Sequence, residues 1–146
     1  MTILGFQSSF LNLDETSGTV VATIVRPELS EEENIEVLDR ELTDLVDQYN
    51  FQQIVINFEN VTYLTSAALG KFIFLHRRLH RKEGRMVVCG LNEPVETVVR
   101  TARLHEYFEI VPDVSSARMR LSSTSPVGGS LALLAPYKAV EHDLRN

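Results

Sequence analysis

Four short apolar runs punctuate the chain: TVVATIV at 19–25, IVINF at 54–58, MVVCG at 86–90 and YFEIV at 107–111. Contiguous β-branched runs without polar alternation fit strands buried on both faces. The stretches between them repeat apolar residues at helical spacing. Strands alternating with helices imply an α/β fold whose central sheet is mostly parallel. An earlier run, FLNLDE, alternates in polarity and reads as one more strand. Thr16, Ser17 and Gly18 supply the turn that lets it pair antiparallel at one edge. The expected sheet has about 4–5 strands in the order β-β-α-β-α-β-α-β.

The helices carry their own signals. In SEEENIEVLDRELTDLVDQY, Ser30 and Glu33 form the pattern of a capping box. Ile35, Leu38, Leu42, Leu45 and Tyr49 then make one apolar face. The three glutamates sit at the positive end of the helix dipole. A second helix is expected from Ser66 to Glu83, with Gly84 as its left-handed terminator. A third starts at Asn92 as cap, with Pro94 in its first turn and Val95, Val98, Val99 and Ala102 on one face. DVSSARMRL reads as a last short helix.

A chain of 146 residues implies one domain. The boundary is expected at residue 121, because SSTSPVGGS has linker composition and LALLAPYKAVEHDLRN lacks a clear period. Residues 122–146 therefore read as a linker and flexible tail. A net charge of −6 disfavours nucleic acid as a partner. The lone Cys89 rules out a disulfide within the chain. No signal-peptide pattern opens the chain and no run reaches membrane-spanning length, so a cytoplasmic location away from the membrane is expected.

YLTSAALGKF, at 63–72, lies just beyond the carboxyl end of a central strand, where open α/β sheets place their ligands and partners. Its adjacent hydroxyls, Thr65 and Ser66, admit three readings. One caps the helix. A nucleophile elbow would need flanking glycines and a base, which LTSAA does not supply. The third is a modifiable hydroxyl on a docking face. Helical phase puts Ala68, Leu69, Phe72, Leu75, His76 and Leu79 inward, and Ser66, Gly70, Phe74, Arg77 and Arg81 outward. An aromatic on the outward stripe suits docking.

Elsewhere the chain offers little chemistry. HRRLHRK reads as a solvated basic face, or as a stripe that meets an acidic partner. His76 and His80 at i, i+4 do not by themselves make a metal site. Cys89 lies in a buried strand, so a structural thiol is expected. Neither a cofactor motif nor an ATP-binding motif is present, so any phosphoryl transfer must come from another protein.

Over roughly residues 10–120, with the carrying motifs between Ile54 and Ile110, the chain resembles the STAS domain of bacterial anti-sigma factor antagonists. In that family an apolar strand and short loop lead to Asp-Ser-Ser/Thr-Gly-Leu-Gly at a helix start. Here the motif reads Thr65, Ser66, Ala67, Ala68, Leu69, Gly70. The resemblance places the phosphoacceptor on Ser66, with Thr65 as second choice. Thr65 replaces the family's aspartate, and Ala68 one of its glycines. It implies a non-enzymatic protein that binds an anti-sigma factor of the serine-kinase type, frees a sigma factor, and is switched off by phosphorylation. The partner-binding residues would be Thr65, Ser66, Gly70, Phe74, Arg77 and Arg81. A homodimer is left open. The alternative is a STAS scaffold or sensor subunit without sigma-factor regulation.

Overall fold

The first connection sets the edge of the sheet. In the computed structural model, which describes residues 10–123, β1 (Leu11–Thr16) and β2 (Thr19–Ile24) pair antiparallel through Ser17 and Gly18. Both turn residues have positive φ, 53° and 83°, the type I′ geometry whose twist matches a two-residue hairpin. The other strands all run parallel to β2: β4 (Gln53–Asn57), β6 (Arg85–Cys89) and β7 (Glu109–Val111). The sheet order is β1-β2-β4-β6-β7. The expected α/β fold with an antiparallel edge is the observed one. Two further strands of two residues each, β3 (Glu28–Leu29) and β5 (Tyr63–Leu64), form a separate parallel ribbon that the sequence reading lacks.

Helices α1 (Glu32–Asp47), α2 (Ser66–Arg81) and α3 (Glu93–Thr101) bury their apolar stripes in one cluster with the inward side chains Val20, Ile54, Ile56, Met86 and Val88. On the opposite face, α4 (Val114–Ser123) lays Ala117 and Leu121 over Val21, Val55, Val87, Cys89 and Val111. A bidentate pair from Arg85 to Glu109, with both bonds at 2.7 Å, links β6 to β7 at the amino end of the strands. Arg120 of α4 reaches the same carboxylate at 3.6 Å.

Several helix boundaries differ from expectation, each for a local reason. The capping box at Ser30 does not form. The strand pairing of Leu29, whose carbonyl accepts from the Thr65 N–H at 3.1 Å, carries the chain on, and Glu31 becomes the N-cap without a side-chain bond. Tyr49 falls beyond the end of α1. At the end of α2 the left-handed residue is Glu83, with φ 60°, and not Gly84. The Glu83 N–H donates to the His80 carbonyl and the Gly84 N–H to that of Leu79, which makes a Schellman termination. Glycine at 84 answers a different demand, since a Cβ there would stand 2.6 Å from the Gln52 carbonyl oxygen. Asn92 occupies the N-cap of α3, but its side chain makes no capping bond. Ala102, expected on the inner face of α3, is its exposed C-cap. α4 continues to Ser123, past the expected boundary at 121, and the remainder of the expected tail, 124–146, lies outside the described residues.

Candidate docking and modification site

The site begins where β4 ends. Asn57, 3% exposed, gives its amide to Glu59 Oε1 at 2.7 Å and to Thr23 Oγ1 at 3.3 Å, and accepts from the Glu59 N–H. Asn92 donates to the carbonyls of Glu59 (3.1 Å) and Val61 (2.8 Å). Thr62 bonds the Pro27 carbonyl through both its N–H (2.8 Å) and its hydroxyl (3.2 Å). These bonds pin the loop from β4 to β5 on both sides and aim the start of α2. Sequence reasoning missed Asn57 and Asn92 in this part. The available signal was a polar amide closing an otherwise apolar strand, and a cap residue equally able to reach a neighbouring loop.

The two hydroxyls then separate in role. Thr65 is the N-cap, with φ −92° and ψ 168°, and its Oγ1 accepts from the Ala68 N–H at 3.2 Å. Ser66 is the first residue of α2 and is exposed. Among the described residues none hydrogen-bonds its hydroxyl. The N–H groups and dipole at this end favour an anion.

Along α2 the expected phase holds: Ala68, Leu69, Phe72, Leu75 and Leu79 are buried, while Phe74 is 61% exposed. A Cβ added at Gly70 would meet nothing within 4 Å, so packing within this chain does not require glycine there. Tyr63, 52% exposed and three residues before Ser66, adds a second surface aromatic that the outward stripe did not include. Arg81 is exposed and, among the described residues, makes no ion pair. Arg77 is drawn to the flank, where its Nε donates to the Tyr107 hydroxyl at 3.2 Å.

His76 faces inward and packs against Tyr107 and Phe108 in tilted and edge-on ring contacts, with centroids 4.8 and 5.7 Å away. Burial, reinforced by His80 and Arg77, pushes its pKa down to about 4, so it is neutral at pH 7. Among the described residues no group of three His, Cys, Asp or Glu side chains could hold a metal ion. Two cations of the basic run join a seam between helices, where Arg78 and Lys82 meet Asp47 at 3.0 and 3.2 Å; outside the run, Lys71 meets Glu36 at 3.1 Å. Cys89 is buried, which pushes its thiol up to about 12. The open groove lined by Leu91, Val99, Ile110 and Pro112 shares no residue with the site at Ser66.

The STAS domain family profile matches residues 11–117. The chain belongs to the STAS domain family. The anti-sigma F factor antagonist of Paenibacillus polymyxa is 25% identical over 72 residues, which span 49% of this chain and 59% of that protein. Among solved structures, an anti-sigma factor antagonist from Mycobacterium paratuberculosis superposes with a TM-score of 0.68 at 16% identity, covering 77% of this chain and 92% of that one. The phosphorylated form of SpoIIAA, a Bacillus cell-fate determinant, gives 0.60 at 20% identity, covering 76% and 98%. At these identities the structures establish a shared STAS fold. Among the described residues, no helix is long and apolar enough to cross a membrane.

Proposed function

We propose that this protein is a cytoplasmic anti-sigma factor antagonist that works by binding alone. The unmodified face at the start of α2 docks on an anti-sigma factor of the serine-kinase type and thereby frees a sigma factor. Phosphorylation of Ser66 by that kinase ends the interaction. The observation that carries this reading is the division of labour at the helix start. Thr65 commits its hydroxyl to the cap, and Ser66 beside it presents an exposed hydroxyl with no bond to the described chain. Threonine also performs the capping that an aspartate could supply, so replacing the family's aspartate leaves the helix start intact.

The physics of such a switch favours binding over folding as its target. A phosphate adds about −1.5 to −2 charges. In the free domain it would sit at a helix N-terminus in water, where an anion is tolerated. In a docked interface it would have to be desolvated, which costs several kcal/mol per ion unless the partner compensates. Gly70 and the exposed Phe74 sit one and two turns further along and suit the close approach of a partner.

Calorimetric titration against purified anti-sigma factors from the source cell tests the proposal. Wild type and Ser66→Ala should bind, and Ser66→Asp should bind at least about tenfold more weakly. Equal affinities for Ser66→Ala and Ser66→Asp would refute the switch, and mass mapping of phosphate to Thr65 would move it.

A further inference from the structure

Beyond the stripe on α2, the ion-pair seam between α1 and α2 carries one position that is left open. Lys71 meets Glu36 at 3.1 Å and Asp39 at 3.6 Å, and Lys82 meets Asp47 at 3.2 Å. The step from Glu36 to Asp47 on α1 is as long as the step from Lys71 on α2 to its C-cap Lys82, so the helices run in the same direction and advance together. Residues four apart share a helix face. One turn before Glu36 stands Glu32, and one turn before Lys71 stands Ala67, both exposed. Where the rungs below hold an acid on α1 and a cation on α2, this one holds an acid and a methyl. Among the described residues Glu32 makes no ion pair.

We infer that this open rung is completed in trans: a lysine or arginine of the docked partner reaches Glu32 across the small side chain of Ala67. The inference rests on the functional reading above and deepens it by adding Glu32 and Ala67 to the docking surface. Two features favour a cation from a protein partner. The rung abuts Ser66, so a molecule seated on the Ser66–Gly70–Phe74 stripe covers it. The side chains between, at 66, 67 and 70, are too small to screen the carboxylate from it. At an exposed rim, complementary charge acts mainly on the rate of encounter and on its salt dependence.

Two experiments test it, one without any partner. In the isolated chain, melting temperatures of Glu32→Gln, Ala67→Lys and the double variant form a cycle that cancels the effect of placing a cation at a helix start. Lysine at 67 should raise the melting temperature about 1–2 °C more when Glu32 is present, and the difference should vanish near 1 M salt. A cycle without coupling would overturn the register. The second experiment uses surface plasmon resonance on the immobilised anti-sigma factors of the source cell. Glu32→Lys and Ala67→Lys should each slow association about tenfold at low salt, with the gap closing at high salt. Unchanged association with wild-type binding intact overturns the rung alone. Absence of wild-type binding overturns the functional reading and the trans contact with it, while the melting cycle still judges the register.

Discussion

Replacing Gly70 with alanine separates what the fold needs from what a partner needs. Glycine inside a helix is less favourable than alanine by about 0.8–1.0 kcal/mol, because it loses more backbone entropy on folding. Gly70 is the fifth residue of α2, well inside the first hydrogen-bonded turns. A Cβ at this position meets nothing within 4 Å, so no steric term offsets the gain. Gly70→Ala should therefore stabilise the isolated chain by nearly 1 kcal/mol. For a domain of this size the midpoint should rise roughly 4 °C in a calorimetric scan. The same methyl placed under a closely seated partner is an overpacking change of about 1–3 kcal/mol. Affinity for the anti-sigma factor should fall about fivefold to 150-fold. Opposite signs in the two assays are the diagnostic result. A lower melting temperature would show that the fold itself requires glycine at 70. A higher melting temperature with unchanged affinity would show that no partner approaches there, and Ser66 would have to be argued without the stripe.

The aromatic pair tests the helix phase: Phe72→Ala should cost about 3–5 kcal/mol by urea denaturation, whereas Phe74→Ala should change stability by about 0.5 or less while weakening the partner complex by about 2 kcal/mol or more. Removing the cap with Thr65→Ala should cost about 1 kcal/mol and shift affinity less than stability. At the end of α2, Glu83→Gly should raise stability by about 0.5–1 kcal/mol by relieving its positive φ, and Gly84→Ala should lower it by at least about 1 kcal/mol, because its Cβ would meet the Gln52 carbonyl at 2.6 Å. Cys89 should resist a disulfide thiol reagent at pH 8, with labelling no faster than unfolding, because its pKa lies near 12; fast labelling of the native chain would contradict its burial.

The period-based readings transferred well because burial itself creates the period. Ile35, Leu38, Leu42 and Leu45 of α1 are buried as expected, as are Phe72, Leu75 and Leu79 of α2. What stayed hidden depends on partners far along the chain. The β3–β5 ribbon has two residues per strand, too few to show any alternation, and exists only because the segments at 28–29 and 63–64 meet. Gly84 looked like a terminator by composition, yet its constraint comes from Gln52. Asn92 looked like a cap, but its amide is taken by the loop that presents Ser66. The place of Ser66 at the helix start was legible from the motif. So was the capping position of Thr65 just before it, and the Ala68 N–H bond to its hydroxyl bears that out.

The strand order β1-β2-β4-β6-β7 has a bearing on how the chain is made. Each strand of the sheet pairs with the one preceding it in sequence, so no strand waits for a distant insertion between two others. A chain leaving the ribosome can add them one at a time, and β4, α2 and the Ser66 environment come together before β7 has been synthesised. The exception is the second face. Among the described residues, the cover over Val21, Val55 and Val87 comes from α4, the last described element. A stalled or truncated nascent chain ending before Val114 would therefore already display Ser66 while exposing a stripe of bare valines, a species suited to capture by a chaperone before it meets any regulatory partner.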